Sequence, residues 1–371
     1  MNYLAVLGRL DKISIAELES VFGSNNVKPL SKNIAKINSK QKPDLTRLGG
    51  TIKIAKIIDK TPLEYLKDIP KGKITFGISD YTPGATKKSS WDQAVKLKFL
   101  LKKHQRAVRI VPNQTATLSS ATSLHNHLGK NSNHVELIIF KDINAVSIGC
   151  QDIEAYVARD RVRPARDAKV GMLPPKLAQI IINLAVENKT KGIILDPFCG
   201  TGVVLQESLL MGHPCIGSDI AEDMVKATRQ NLSWLKTKHK DIPKYQTLQA
   251  DATKHQWKTK PSFVASETYL GAPLTAPPND ITLMDLKIQI KSLLYNFLRN
   301  IGPQLKSGST LAIAVPAWRR LDKKYSTLDI VDDIPALGYN IKKFKHVTSD
   351  ELLYYRENQV VARQLIVLRK K

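Results

Sequence analysis

Ile193-Ile194-Leu195-Asp196-Pro197-Phe198-Cys199-Gly200-Thr201-Gly202-Val203 runs an apolar strand into an acid, then a glycine-rich turn, then the start of a helix. In an open α/β sheet, such a turn brings backbone close to a ligand at the carboxyl edge of the strands. The spacing is not the G-x-G-x-x-G of dinucleotide sites, and no Gly-Lys-Ser/Thr follows to cradle phosphates. An acid at a strand end beside two glycines suits a ligand with an ammonium group and no phosphate. S-adenosylmethionine is such a ligand.

The chain repeats this rhythm downstream. Residues 215–219, 246–251, 262–266 and 310–315 read as further strands, with helices over 203–211, 221–234 and 288–300. Segments 340–345 and 359–368 read as a closing pair. Strands alternating with helices predict an α/β fold with a doubly wound sheet. Two more acids end successive strands. Asp219, with Ile220 after it, is placed to accept ribose hydroxyls, and Asp251-Ala252 to receive an adenine amino group. A lone strand-end Asp is more often a turn or cap residue; three in succession favour one extended ligand.

Upstream lies different material. Residues 14–22 have helical spacing, with Ser14 and Glu17 in a capping-box pattern and Gly23 as the stop. Segments 34–38 and 52–58 alternate as strands. Further strands are expected at 73–79, 135–140 and 145–149, and helix-like spacing at 119–128. An amphipathic helix at 91–104 places Ala94, Val95, Leu97, Leu100 and Leu101 inward and Lys96, Lys98, Lys102 and Lys103 outward. A polar joint follows, carrying Arg159, Arg161, Arg163 and Arg166. Those arginines either form an ion-pair network or grip phosphates.

Charge narrows the partners. There are 57 Lys and Arg against 33 Asp and Glu, a formal net charge of +24, distributed over both halves of the 371 residues. Such a field attracts polyanions: tRNA, rRNA, DNA or an anionic membrane surface. No apolar run nears the ~18 residues of a membrane span, and the start breaks too early for a secretory leader. Three cysteines without a CxxC pair argue against a disulfide framework or a Cys-rich metal site and predict a reducing, cytoplasmic setting. His125, His127 and His134 lack a completing carboxylate or thiol, so no metal is expected.

DPFCGTG followed by GSD and ADAT resembles the class I methyltransferases that modify exocyclic amines of nucleic-acid bases. RPARDAKVGMLPPKLAQIIINLA is similar to the linker and first helix of the THUMP-containing tRNA guanosine N2-methyltransferases. VLGRLDKISIAELESVFG, RLGGTIKIAKI and YYRENQVVARQLIVLRK resemble other parts of that family. The resemblance implies a ferredoxin-like α+β domain (1–70), a THUMP-like RNA-binding domain (71–151), a linker (152–170), and a Rossmann-like, seven-stranded, S-adenosylmethionine-dependent domain (171–371). It implies a tRNA substrate methylated on a D-arm guanine, with a small activating subunit as an open question. Leu173, Pro174, Asp196, Pro197, Phe198, Gly200, Gly202, Asp219, Ile220, Asp251 and Ala252 would hold the cofactor. Arg161, Arg163, Arg166, Lys102, Lys103, Arg109 and Arg319 are the RNA-contact candidates. Cys199 is then a packing residue.

The sequence departs from the family at the catalytic motif. Where the family carries Asp-Pro-Pro-Tyr, this chain has Ser266-Glu267-Thr268-Tyr269. Alignment makes Ser266 the acceptor for the target amine and Tyr269 the stacking ring. Glu267 is added as a carboxylate that hydrogen-bonds a guanine Watson–Crick edge, accepts the departing proton, or pairs with a linker arginine. Trp318, before Arg319, either stacks on RNA or packs as a wedge. The alternatives are a DNA amino-methyltransferase and an RNA-binding protein that kept the cofactor fold without its chemistry.

Overall fold

The computed structural model describes every residue except 71, 167–171, 190 and 358, so the end of the expected linker lies outside the described residues. The chain divides into two compact units. One comprises Met1–Ser14 and Asn25–Tyr156, the other Ile15–Ser24 and Val157–Lys371.

The first unit is built on one mixed sheet. Its strands are β1 (Asn2–Leu7), β2 (Val27–Ser31), β3 (Ile34–Asn38), β4 (Thr51–Ile58), β5 (Ile74–Asp80), β6 (Val108–Ile110), β7 (His134–Phe140) and β8 (Ile143–Cys150). They lie in the order β2-β3-β1-β4-β8-β7-β5-β6. The strands expected of two domains, 1–70 and 71–151, meet where β4 pairs antiparallel with β8. A dry ion pair pins the middle of this sheet. The fully buried Lys53 on β4 reaches the fully buried Glu136 on β7, and Lys53 Nζ also donates to the Leu118 carbonyl at 2.7 Å. Ser79 and Ser123 hydroxyls donate to the same carboxylate at 2.6 and 2.8 Å, so neither charge lacks partners.

Helix α1 (Asp11–Phe22) starts a turn earlier than expected. Ser14 lies inside it, its hydroxyl donating to the Leu10 carbonyl at 2.9 Å. The expected capping box is therefore absent. Glu17, fully buried in the second unit, instead accepts from Asn183 Nδ2 at 2.7 Å. Gly23 does end the helix, at φ +85°. Helix α2 (Lys87–Lys103) also starts early, because Thr86 and Ser89 form a capping box the pattern reading passed over. Ala94, Leu97 and Leu101 are buried as expected, but Val95 is 43% exposed. It lies with Trp91 and Phe99 at i, i+4 and i+8, one stripe on the lysine-bearing face.

The second unit alternates α3 (Pro175–Val186), β9 (Ile194–Asp196), α4 (Val203–Leu210), β10 (Cys215–Asp219), α5 (Glu222–Lys238), β11 (Tyr245–Gln249), β12 (Phe263–Glu267), α6 (Asp280–Ile301) and β13 (Thr310–Arg319). β14 (Tyr339–Ile341) and β15 (Val361–Lys370) close it. The strand order is β11-β10-β9-β12-β13-β15-β14, with two-residue strands flanking β13 and β15. The five strands from β11 to β13 run parallel, and β15 runs antiparallel between β13 and β14. Numbered within the unit, that order is 3-2-1-4-5-7-6 with the seventh strand reversed, the Rossmann-like class I methyltransferase sheet. Leu195, Val264, Leu294, Phe297, Leu311 and Trp318 share one core between the sheet and α6. Trp318 is fully buried, so of its two expected roles only the packing wedge fits.

From β9 the chain winds one way to β10 and β11, and it later returns at β12 to wind the other way. The crevice outside the carboxyl ends of β9 and β12 is thus the topological switch point, where open α/β sheets bind ligands.

Candidate active site

That crevice holds an open cleft, lined among others by Met172, Leu173, Asp196, Phe198, Gly200 and Glu267. The turn after β9 forms its floor. Gly202 stands at φ +83° as the N-cap of α4, and a Cβ there would lie 2.9 Å from the Thr228 side chain. Gly200, at φ +49°, faces open space: an added Cβ meets nothing within 4 Å. The first glycine leaves room for a ligand and the second lets the turn pack on α5.

Two residues on α5 hold the turn from beneath. Thr228 Oγ1 donates to the Gly200 carbonyl at 2.7 Å. Asn231 Nδ2 donates to the carbonyls of Thr201 and Ala165, at 2.8 and 2.9 Å, while its Oδ1 accepts the Ala165 N–H at 2.9 Å. Asn231 thereby ties the segment after the joint to the glycine turn. The sequence reading missed both. Their only signal was two polar side chains on the inward face of an amphipathic helix.

Asp196 is 2% exposed, and burial pushes its carboxyl up to about 7. Its Oδ1 accepts the Ser266 hydroxyl at 2.6 Å and the Phe198 N–H at 3.3 Å. Ser266 is therefore not the acceptor facing a base: it is fully buried and its proton is committed to Asp196. The side chains of a strand alternate, so Ser266 turns away and the next residue, Glu267, turns to the cleft. Glu267 pairs not with a linker arginine but with Arg363 on β15, whose Nε donates to Oε1 at 2.8 Å. Tyr269 is 52% exposed and does not line the cleft.

Asp219 Oδ2 accepts the Gly200 N–H at 2.9 Å and Oδ1 the Ala221 N–H at 3.0 Å, so it braces the turn from β10. Asp251 accepts from the Thr253 N–H and hydroxyl, which hold its carboxyl below the usual range. Ile220 is exposed and Ala252 buried; neither they nor the two acids line the cleft itself. Pro174 caps α3, and Pro197 is buried in the turn. Cys199 is buried, with its thiol raised by desolvation, an inert packing residue.

Of the RNA-contact candidates, Arg163 is overturned. It is 2% exposed, its Nη2 lying 2.9 Å from Met172 Sδ, and a side chain so enclosed cannot reach a phosphate. Arg161 and Arg166 are exposed, with Arg166 Nη1 donating to the Arg161 carbonyl at 3.3 Å. Arg319 is half-buried and donates to the Glu357 carbonyl. Arg159 is an ion-pair partner, its Nε 2.7 Å from the buried Glu207. In the first unit Lys102, Lys103 and Arg109 are exposed.

Residues 153–230, the cofactor half of the site, match a family model described as DNA methylase. Over 173 residues the chain is 31% identical to a tRNA (guanine(10)-N2)-dimethyltransferase of Methanothermobacter thermautotrophicus, covering 45% of this chain and 47% of that protein. Over 149 residues it is 34% identical to a probable tRNA (guanine(10)-N2)-dimethyltransferase of Methanothermococcus thermolithotrophicus, covering 40% of this chain and 83% of the relative. The chain belongs to this family. It spans about half the length of the Methanothermobacter protein of the family. Over the full length of both chains it overlays on the crystal structure of TrmN from Thermus thermophilus at 16% identity and a TM-score of 0.49. Among the described residues no helix is long and apolar enough to cross a membrane.

Proposed function

We propose that this chain transfers a methyl group from S-adenosylmethionine to the exocyclic N2 of a guanine in tRNA, of the D-arm position-10 type, in the cytoplasm. The observation that carries this reading is a carboxylate at the end of β12, Glu267, opening into the same cleft as the glycine turn and Asp196. The donor set fits the cofactor. Asp196 is a buried acid whose charged form a cation would stabilise, and an added Cβ at Gly200 meets nothing within 4 Å. Asp219 and Asp251 end the neighbouring strands on the side where a ribose and an adenine would extend. When bound, S-adenosylmethionine supplies an electrophilic methyl group on a sulfonium centre.

The protein's part is orientation. Glu267 accepts hydrogens of the target amine, turns its lone pair toward the methyl group, and takes the proton that N2 must lose. Tyr269, exposed beyond the strand end, offers a ring on which a base drawn out of its stack can lie. The net charge of +24 supplies the attraction for tRNA, and the first unit is the RNA-positioning part, with Lys102, Lys103 and Arg109 as exposed contacts. Its β5–β8 half is the THUMP-like portion of this reading.

The match to a DNA methylase model over 153–230 keeps duplex DNA as a second substrate to test. Labelled S-adenosylmethionine is incubated with the protein and either total tRNA or duplex DNA, and the nucleosides are separated. Label in N2-methylguanosine or its dimethyl form is expected. Label in DNA alone, or in neither polymer despite cofactor binding, refutes the proposal.

A further inference from the structure

Nothing in the family's Asp-Pro-Pro-Tyr pattern calls for an arginine, yet one stands behind Glu267, the carboxylate that lines the cleft. Arg363 comes from β15, two strands away from β12 and 96 residues later in the chain, with β13 between them. It is 2% exposed, and its Nε meets Glu267 Oε1 at 2.8 Å. Glu267 keeps a 17% exposed side chain, and Oε2 has no hydrogen-bond donor among the described residues. One oxygen is thus fixed from behind and the other is available to the cleft.

Resting on the methyltransferase reading above, we infer that Arg363 is a positioning residue. It holds Glu267 anionic and correctly aimed, so that the carboxylate selects guanine. Guanine's Watson–Crick edge presents N1–H beside the N2 amine, two adjacent donors. A carboxylate, which only accepts, complements that pair. Adenine presents its amine beside an acceptor, N1, which a carboxylate repels. A protonated Glu267 would also set a donor against a donor on guanine. The anionic form therefore distinguishes the bases, and a buried carboxylate stays anionic only with a counter-charge.

Among the described residues, the charged groups around Glu267 are few. Arg363 faces it from β15; Asp196 from β9, with Asp219 beyond on β10, adds negative charge. Burial pushes the Glu267 carboxyl upward, and Arg363 opposes it through its charge and its hydrogen bond. Removing the guanidinium leaves burial unopposed.

The test compares pH profiles of methyl transfer to tRNA for the wild type, Arg363→Gln and Arg363→Lys. S-adenosylhomocysteine affinity reports whether the cleft is intact. Asp196 is common to all three, so differences between profiles report on Glu267. For Arg363→Gln the acid limb is expected to rise by about one pH unit or more. Its kcat should fall about tenfold or more on the acid side of the limb but less than about threefold on the alkaline plateau, with the cofactor KM nearly unchanged. Arg363→Lys should keep the wild-type limb. Loss by the same factor at every pH, or no change, overturns the inference.

A second readout is independent of turnover and of either variant's activity. The Glu267 carboxyl, labelled with 13C and identified by its absence in Glu267→Gln, should titrate at higher pH in Arg363→Gln than in the wild type. If Arg363→Gln fails to bind S-adenosylhomocysteine, the same comparison is made with Arg363→Lys, where an unmoved titration and limb support the inference and an upward shift overturns it. A wild type that methylates no guanine, yet shows Glu267 anionic at neutral pH only while Arg363 is present, sinks the functional reading and leaves the role of Arg363 in fixing the charge standing.

Discussion

Asp196→Asn should make the ligand-free protein more stable at alkaline pH while weakening its hold on the cofactor. Burial moves the Asp196 carboxyl from 3.8 to about 7 in the folded chain. The native state therefore binds this proton more tightly than the unfolded state does. Stability from this group is full below about pH 4 and is lost as pH rises to about 7. A shift of about 3 units corresponds to ~4 kcal/mol given up by pH 8. Asparagine carries no such charge, and its Oδ1 can still accept from Ser266 and the Phe198 N–H. Its amide hydrogens lack partners, which costs ~1–3 kcal/mol. The net expectation at pH 8 is a gain of ~1–3 kcal/mol, or ~2–10 °C in the unfolding midpoint of a unit this size. At pH 4 the sign reverses, because only the unmatched amide remains. Thermal unfolding of both proteins at pH 4, 6 and 8 measures this, and S-adenosylhomocysteine titration follows binding. If the stability difference does not change with pH, Asp196 does not titrate where burial should place it, and the argument for it as a cation-seeking acid fails.

Gly202→Ala should cost ~2 kcal/mol or more and reduce cofactor affinity, since the left-handed backbone and the 2.9 Å approach to Thr228 leave no room for a methyl group; calorimetric binding and denaturant unfolding report both. Asn231→Ala removes bonds to Ala165 and Thr201 and should lower stability by ~2–3 kcal/mol in urea while raising the cofactor KM more than it lowers kcat. Lys53→Met strands the buried Glu136 charge and should destabilise the first unit by ~3–5 kcal/mol, by chemical denaturation. Restoring neutrality with Glu136→Gln in the same chain should recover much of that loss.

The second unit was legible in the sequence because its signals are local. A strand, an acid and two glycines within ten residues fix one another, and parallel strands buried on both faces read as unbroken apolar runs. Helix starts were less legible. Ser14 and Glu17 match a capping box letter by letter, yet Asp11 opens the helix and Glu17 is drawn to Asn183, 166 residues away. The site shows the same division. Asp196 and its turn could be read from adjacent residues, whereas the aim of Ser266 depended on which way one strand side chain faces, a one-residue difference in register. Arg363 had no local mark, because its partner lies across β13. Arg163 looked like a phosphate ligand only while its burial was unknown.

The insertion of β15 between β13 and β14 has a consequence for how the protein acquires its structure. Until that strand docks, β13 presents an unpaired edge through Thr310–Arg319, a long apolar template for pairing with other chains. The same docking step delivers Arg363 to Glu267. Sealing the sheet against aggregation and arming the cleft are therefore one docking event, and a chain arrested before it would be both inert and adhesive.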